Sequence, residues 1–589
     1  MCVKTEYERR LAARQAVTAA RDRWEGRIAN LRFVAAVAFV ALLFIPGRPV
    51  ALVAIPVVAF IGLVIAHERV IRSRDSARRA EAFHERGLAR LAETWHGSGT
   101  PGERYLDRDH PCAGDLDLFG KGSLFELLCT ARTRAGEDDL AARLSGPADP
   151  DTVAERQSAV RELTDRLDLR EEIALTGDDM PVGVEVAKLE EWGGAPRVLT
   201  GAAVPVAAAA LAVGSLAAAV VWAAGIATPA WLALAVLVGL AFRAPIRKRV
   251  EAVLAAGDRR TKELDLFSRI LARFERETFT SARLVRLREE IATDGVPASR
   301  EIRRLVRLYA LIDARRNMFF FPIAWLLGWE IQLAFALERW RARAGKNAAP
   351  WLRATGEIEA FLALASYAYE RPEDPYPEVV PDGPLFDATA IAHPLLPAAE
   401  AVHNDVRLDG DRSLLVVSGS NMSGKTTLLR TIGANLVLAY AGAPVRAERL
   451  VASSLQPAAA MRVRDSLLEG RSLFYAEIRR LKLVVDLADG DRPVLFLLDE
   501  LLSGTNSNDR AAGAEGLVRG LLDRGAIGLV TTHDLALGRI ADELAPRAAN
   551  VHFEDQLTDG RMSFDYTLRD GVVEKSNALE LMRAVGLEV

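Results

Sequence analysis

The sequence predicts a multidomain chain. An α-helical core or lever domain carries two transmembrane helical hairpins and is followed by a C-terminal α/β domain built around a phosphate loop. Three observations lead there: nearly charge-free apolar stretches at residues 30–70 and 199–242, a glycine-containing loop with phosphate-binding spacing at residues 419–426, and a change past about residue 386 to short β-rich runs alternating with helical segments. A length of 589 residues leaves room for several folding units. With half the residues hydrophobic and 26% charged, neither a disordered chain nor a wholly membrane-embedded one fits. A formal charge of −4 removes any argument for nucleic-acid binding from global basicity. Cys2, Cys112 and Cys129 are too few for a disulfide framework or a four-thiolate zinc site.

In chain order, residues 1–29 read as a basic amphipathic helix and 30–68 as the first hairpin, broken by the Pro-Gly-Arg-Pro run at 46–49. Each half is slightly shorter than the ~20 helical residues that cross a ~30 Å hydrocarbon core, so a full span and a re-entrant hairpin both stay open. A buried soluble pair is the competing reading, against which stands the lack of a polar face on either half. A cleaved signal peptide fits poorly, because an arginine-rich helix precedes the apolar run. Residues 69–104 form a basic helical connector and 105–198 the first part of the core.

The stretch 199–242 carries no charge, is rich in small residues and can cross twice with a turn near 225–229, placing Trp222 and Trp231 at an interface. Arg9, Arg10, Arg14, Arg21, Arg23 and Arg27 precede the first hairpin, Arg69, Arg72, Arg74, Arg78 and Arg79 follow it, and its turn holds Arg48. Arg243, Arg247, Lys248 and Arg249 follow the second. This bias predicts an inner-membrane, multi-pass protein with its termini and soluble parts in the cytoplasm. Residues 243–385 read as the second part of the core with its lever helices. The apolar run 318–337 contains Glu330 and Gln332 and is expected to be a buried or membrane-grazing helix. Arginine-rich helices at 269–288 and 300–307 read equally as phosphate contacts or as solvated faces.

Residues 386–589 form the α/β domain. In GSNMSGKTT the residues Gly419, Ser420, Asn421, Met422, Ser423, Gly424, Lys425, Thr426 and Thr427 have the phosphate-loop spacing between a strand and a helix. Backbone amides would wrap the phosphates, Lys425 would neutralise them and Thr426 would ligate Mg2+. The apolar run 495–498 ends in Asp499, suited to the magnesium shell, and Glu500, suited to polarising water. The next strand, AIGLVTTHD, delivers His533, placed to sense a γ-phosphate; taken alone, a strand-end histidine is more often structural.

The order GSNMSGKTTLLRTIG, DSLLEGRSLFYAEI, LLDELLSGTNSNDR and TTHD resembles the ATPase domain of the MutS family of DNA mismatch-repair proteins, and VHFEDQLTDGRMSFDYTLRDGVVEKSNALELMRAVGL resembles its closing stretch. Upstream, GSLFELLCTARTRAGEDDLAARLSGPADPDTVAERQSAVREL resembles the start of the MutS core, and IAHPLLPAAEAVHNDV the segment leading into the ATPase. The resemblance implies an ABC-type P-loop ATP hydrolase that uses ATP and Mg2+ and works as a homodimer through its ATPase domains. Carried over by motif, Ser472 would reach the γ-phosphate in trans, the loop 504–507 would cross the dimer interface, and Asn404 would lie near the base or ribose. Ser472 also reads as a helix N-cap.

The family's mismatch-reading N-terminal domain is missing, its place taken by the basic helix and first hairpin. Phe83-His84-Glu85 matches the bare wedge spacing but is expected to be a coincidence on a helix surface. The run 199–242 stands where the family's DNA clamp would be inserted. DNA is therefore expected as a partner without mismatch specificity, the lipid bilayer as another, and no small-molecule substrate besides ATP. The competing readings are a transporter-like ATPase and an ATP-controlled membrane scaffold. Leu502-Ser503-Gly504 lies after the acidic strand and does not match a transporter signature.

Overall fold

Long apolar and arginine-rich runs produce long helices, even across Pro56. In the computed structural model, Val3–Leu43 and Val50–Leu91 are single helices paired into a hairpin, with the break falling where the prolines predict it. The described residues are 2–46, 49–176, 186–256, 261–293, 295–314, 321–420, 422–461, 473–502, 507–533, 535–558 and 561–572. They divide into two compact units: Met1–Thr130 with Ala141–Leu175 and Leu362–Val589, and Ala131–Leu140 with Thr176–Phe361.

In the first unit the hairpin changes character along its length. Its foot is buried and polar. The Tyr7 hydroxyl donates to Glu370 Oε1 at 3.1 Å, and Arg90 grips the same carboxylate with two hydrogen bonds of 2.7 and 2.6 Å. Gly87 is required there, since a Cβ would stand 2.5 Å from the Tyr7 ring. Arg10 and Arg14 bond Glu171 at 3.1 and 2.8 Å. Further out the same helices are apolar and uncovered, with Phe33 71%, Phe44 81% and Val58 68% exposed.

The segment Phe83-His84-Glu85 differs from its expected surface position. Ala77, Ala80, His84 and Gly87 recur at three- and four-residue spacing and face the first helix, so Phe83 is 5% and His84 0% exposed, packed around Tyr7, while Glu85 is exposed. Many arginines in the segment hid this stripe. His84 Nε2 lies 3.4 Å from Glu171 Oε2.

The α/β domain belongs to this unit. Leu414–Ser418, Val494–Leu498 and Ile527–Thr532 are buried along their whole length, as the centre of a parallel sheet requires. The six-stranded order is Arg561–Asp570, Ala548–Thr558, Leu414–Ser418, Ile527–Thr532, Val494–Leu498, Gln456–Ala460, parallel except for the first strand. A second sheet orders Glu378–Val380, Arg449–Ser453, Phe386–Ile391 and Asn404–Leu408. Residues 105–130 and 141–175 cluster with this domain. Arg480 fastens them by donating to the carbonyls of His110 and Pro111, both at 2.7 Å, and to Asp115 Oδ2 at 3.0 Å.

The second unit is helical. Thr261–Phe274 and Ala298–Ala314 pair through Phe267, Ile270, Leu271, Ile302 and Leu305, all buried. Several arginines of this region are occupied: Arg273 bonds Glu277 at 2.5 Å, Arg269 meets Asp265 at 2.6 Å, Arg304 pairs with Glu301, and Arg283, on Ala282–Glu290, bonds Glu357 at 2.6 Å. The region 318–337 resolves into Phe321–Leu326 and the start of Trp329–Glu370, with Ile331, Ala334, Phe335 and Leu337 buried; residues 318–320 lie outside the described residues. The apolar run 199–242 forms Ala203–Ala223 and Pro229–Arg243. The first is long and apolar enough to cross a membrane. The second reaches that length only together with Arg247–Ala255, across a bend of 68°.

Within this unit Glu359 is fully buried. It accepts hydrogen bonds from the N–H groups of Arg132 (2.7 Å) and Thr133 (3.3 Å) and from the Thr133 hydroxyl, at the start of the helix Arg134–Ser145. Burial pushes its pKa up to about 7, against the downward pull of those donors. The folded chain then binds a proton that the unfolded chain, titrating near 4.5, has released, so this contribution is present at low pH and is lost as pH rises through 7. Between pH 5 and 8, wild type is expected to lose about 3 kcal/mol relative to Glu359→Gln. Melting temperatures of the detergent-solubilised proteins at both pH values check this; parallel profiles would contradict it.

Candidate functional site

Three parallel strands end level with one another. Leu498 pairs with Val530, and Ser418 with Thr532. The residues that follow, Gly419, Asp499 with Glu500, and His533, therefore emerge side by side at the carboxyl edge of the sheet, where open α/β sheets bind ligands. The helix Lys425–Ala441 starts at the same edge behind Gly424, whose φ of +104° suits glycine. A Cβ on Gly424 would also stand 3.1 Å from the Tyr566 ring.

The acidic pair is held from two sides. Thr426 Oγ1 donates to Asp499 Oδ2 at 2.7 Å, and the Thr531 hydroxyl donates to Asp499 Oδ1. Thr531 Oγ1 also accepts the Glu500 N–H at 3.1 Å. Glu500 and Leu502 have φ of +45° and +55°, and the Leu502 N–H is held by the buried Glu477 carboxylate at 2.5 Å. His533 Nδ1 stands 3.7 Å from Glu500 Oε1, beyond hydrogen-bond range, and both side chains reach solvent.

Lys425 Nζ donates to the carbonyls of Gly419 (2.9 Å) and Ser420 (2.7 Å). Burial holds its pKa below the usual lysine value, opposed by the charges of Glu500 and Asp499. The hydroxyls of Ser420 and Ser423 are buried without a hydrogen-bond partner among the described residues. These orphaned groups converge with the Lys425 cation, a donor set that suits phosphate oxygens. Met422 is 84% exposed beside them, and Thr427 is exposed.

A cavity of about 970 Å³ opens over the loop, lined among others by His393, Asn404, Lys425, Asp499, Glu500 and Tyr566. Asn404 lines the cavity, but its amide is committed: Nδ2 donates to the Tyr566 carbonyl at 3.1 Å and Oδ1 accepts the Leu568 N–H at 2.7 Å. It positions Tyr566, whose φ is +52°. His393, its pKa lowered to about 4 by burial and the nearby Arg430, is a neutral wall of the cavity. Sequence reasoning missed Thr531, His393, Phe553 and Tyr566. Thr531 was in view, two residues before His533; the others reach the cavity through tertiary structure alone. Asn421, Ser472 and residues 504–506 lie outside the described residues.

A loop of phosphate-binding spacing, a strand-end acidic pair and a following histidine meet at the carboxyl edge of a parallel sheet, an arrangement consistent with an α/β ATPase domain. The family model described as MutS domain V matches residues 415–588. The chain is 34% identical over 243 residues to the DNA mismatch repair protein MutS of Natronomonas pharaonis, covering 40% of this chain and 27% of that one. It is 35% identical over 248 residues to the Endonuclease MutS2 of Thermomicrobium roseum, covering 40% and 31%, and 34% identical over 213 residues to the Endonuclease MutS2 of Thermus thermophilus, covering 35% and 27%. Residues 415–588 of this chain are thus similar to MutS domain V. The matched region spans less than a third of the length of these relatives.

Thr531 is fully buried and holds both acidic residues. Thr531→Val is expected to destabilise the protein by about 1–3 kcal/mol, because Asp499 and the Glu500 N–H lose their shared partner, while Thr531→Ser retains most of the stability. Thermal unfolding of the three proteins checks this.

Proposed function

We propose that this chain is a membrane-anchored MutS-type ATPase that binds and hydrolyses Mg-ATP between the nucleotide domains of a homodimer and acts on DNA without mismatch specificity. The observation that carries the reading is the convergence of Lys425, Thr426, Asp499, Glu500 and His533 at one sheet edge beside two unpartnered serine hydroxyls.

Lys425 exchanges its carbonyl partners for β- and γ-phosphate oxygens, and Ser420 and Ser423 supply donors to the same groups. The Thr426 hydroxyl and Asp499 carboxylate would hold a magnesium ion, which would neutralise charge on those oxygens. Glu500, aimed by the bond from its N–H to Thr531, accepts a proton from the water that attacks the γ-phosphorus. The bond to the β-bridging oxygen breaks, and ADP leaves with its electron pair. His533 stands beside Glu500 to donate to the γ-phosphate. The exposure of Met422, Glu500 and His533 suits a site covered by a second nucleotide domain, to which the MutS resemblance assigns Ser472 and the loop 504–507. DNA as client is carried over from relatives named for DNA mismatch repair and endonuclease. Membrane anchoring is supported by helices Val3–Leu43, Leu52–Leu91 and Ala203–Ala223, each with an apolar stretch long enough to cross and little covered by the rest of the chain.

Lys425→Ala should lower ATP turnover by about 100-fold or more, and Glu500→Gln should keep ATP bound and trap a dimer visible by size-exclusion chromatography. Unchanged hydrolysis in both variants would refute the site. Turnover by the detergent-solubilised protein should rise with duplex DNA at low salt and fall as salt increases. A flat response would favour the ATP-controlled scaffold.

A further inference from the structure

A second cavity, of about 450 Å³, lies in the helical unit at the foot of Ala203–Ala223. Its wall is apolar where it meets that helix, through Pro205, Val206 and the buried Phe335. Val206 is 65% exposed, so the wall continues without interruption onto the uncovered face of the helix. The opposite rim is cationic. Arg197 and Arg339 line the cavity, both are exposed, and neither makes a hydrogen bond or ion pair with any described residue. Other arginines of the unit are spent: Arg341 is bound to both oxygens of Glu338 at 2.8 and 2.9 Å, and Arg353, further along the same helix, to Glu190 at 2.9 Å. Glu338 is the acidic group of the lining, and Arg341 neutralises it, so the cavity presents a net positive rim. The Gln332 amide is likewise committed, donating to the Pro205 carbonyl at 2.7 Å.

We infer that this cavity binds an anionic glycerophospholipid of the inner leaflet. Arg197 and Arg339 take the headgroup phosphate, and an acyl chain lies along Val206 and the exposed face of Ala203–Ala223. The proposal rests on the membrane reading above. Two unpaired guanidinium groups facing one cavity match phosphate oxygens in fork geometry, and the apolar wall beside them gives a chain-bearing phosphate an advantage over a free one. A zwitterionic lipid offers the same phosphate but brings its own cation to a cationic rim.

The test titrates the detergent-solubilised full chain with short-chain phosphatidylglycerol and phosphatidylcholine, with inorganic phosphate as competitor. Wild type should bind the anionic lipid at least tenfold more tightly. Arg197→Ala and Arg339→Ala should each weaken it about fivefold, in line with one basic residue at an anionic surface. Arg353→Ala controls for a change in charge alone and should have no effect. Equal affinity for the two lipids, an effect of Arg353→Ala as large as the others, or full displacement by inorganic phosphate would overturn the inference. Flotation with vesicles of either lipid and resistance to alkaline extraction report membrane insertion separately. Insertion without headgroup preference refutes the lipid site alone, and wild-type protein that fails to float refutes both readings.

Discussion

The Asp499 carboxylate is the node of the nucleotide domain. It accepts one hydroxyl from the helix behind the phosphate loop and another from the neighbouring strand, so three elements distant in sequence are fixed by one anion. Hydrogen bonds to a charged acceptor are roughly twice as strong as neutral ones, and two on one carboxylate leave it little freedom to rotate. The strand register does the rest, because a one-residue slip of Val494–Leu498 would turn Asp499 to the opposite face of the sheet. The left-handed residues Glu500 and Leu502 follow immediately, restrained by Thr531 and Glu477. Strain of this kind persists where surrounding contacts over-determine it, and here two side-chain oxygens hold the backbone N–H groups of both left-handed residues.

The first hairpin is built on the same device at its base. Glu370, at the end of the long helix Trp329–Glu370, receives Tyr7 from one limb and Arg90 from the other. A buried carboxylate with a bidentate arginine and a phenol hydroxyl has its desolvation compensated by geometry. Removing Arg90 would leave the carboxylate buried with only the Tyr7 hydroxyl, and removing Glu370 would leave the guanidinium buried and unpaired. Polar specificity thus sits at the foot, and apolar surface at the tip.

Much of this was legible in the sequence, for reasons that differ by element. The phosphate loop, the acidic pair and His533 are local signals, each at the end of a short apolar run, and a parallel sheet brings strand ends together by construction. The break at 46–49 follows from proline chemistry. Where the reading went astray, a tertiary partner overrode composition: arginines around Phe83 and His84 suggested a solvated face, yet the stripe Ala77, Ala80, His84 and Gly87 was already at helix-packing spacing. Asn404 illustrates the same limit in reverse. Its place beside the cavity was foreseeable, but its commitment to Tyr566 and Leu568 depends on an edge hairpin some 160 residues later. The arginine-rich helices at 269–288 and 300–307 were undecidable from charge alone; the carboxylates paired with Arg269, Arg273, Arg283 and Arg304 favour a structural role for those four.

The exposed apolar surface sets a constraint that any function must meet. Side chains as large as Phe33, Phe44, Val58, Val206 and Trp231 stand uncovered along two hairpins, far beyond the scattered apolar residues of an ordinary soluble surface. Length then separates the hairpins. The 18-residue apolar stretch of the first limb rises ~27 Å at 1.5 Å per residue, whereas Ala203–Ala223 rises ~31 Å. On the proposed membrane reading, the second hairpin's leading limb matches a full hydrocarbon core, and the first hairpin needs local thinning or snorkelling at its base. Arg27 and Arg32 are placed for the latter, each lying over an aromatic ring, Trp24 at 5.4 Å and Phe60 at 5.5 Å, where a guanidinium can reach the headgroups while its stem stays among apolar neighbours.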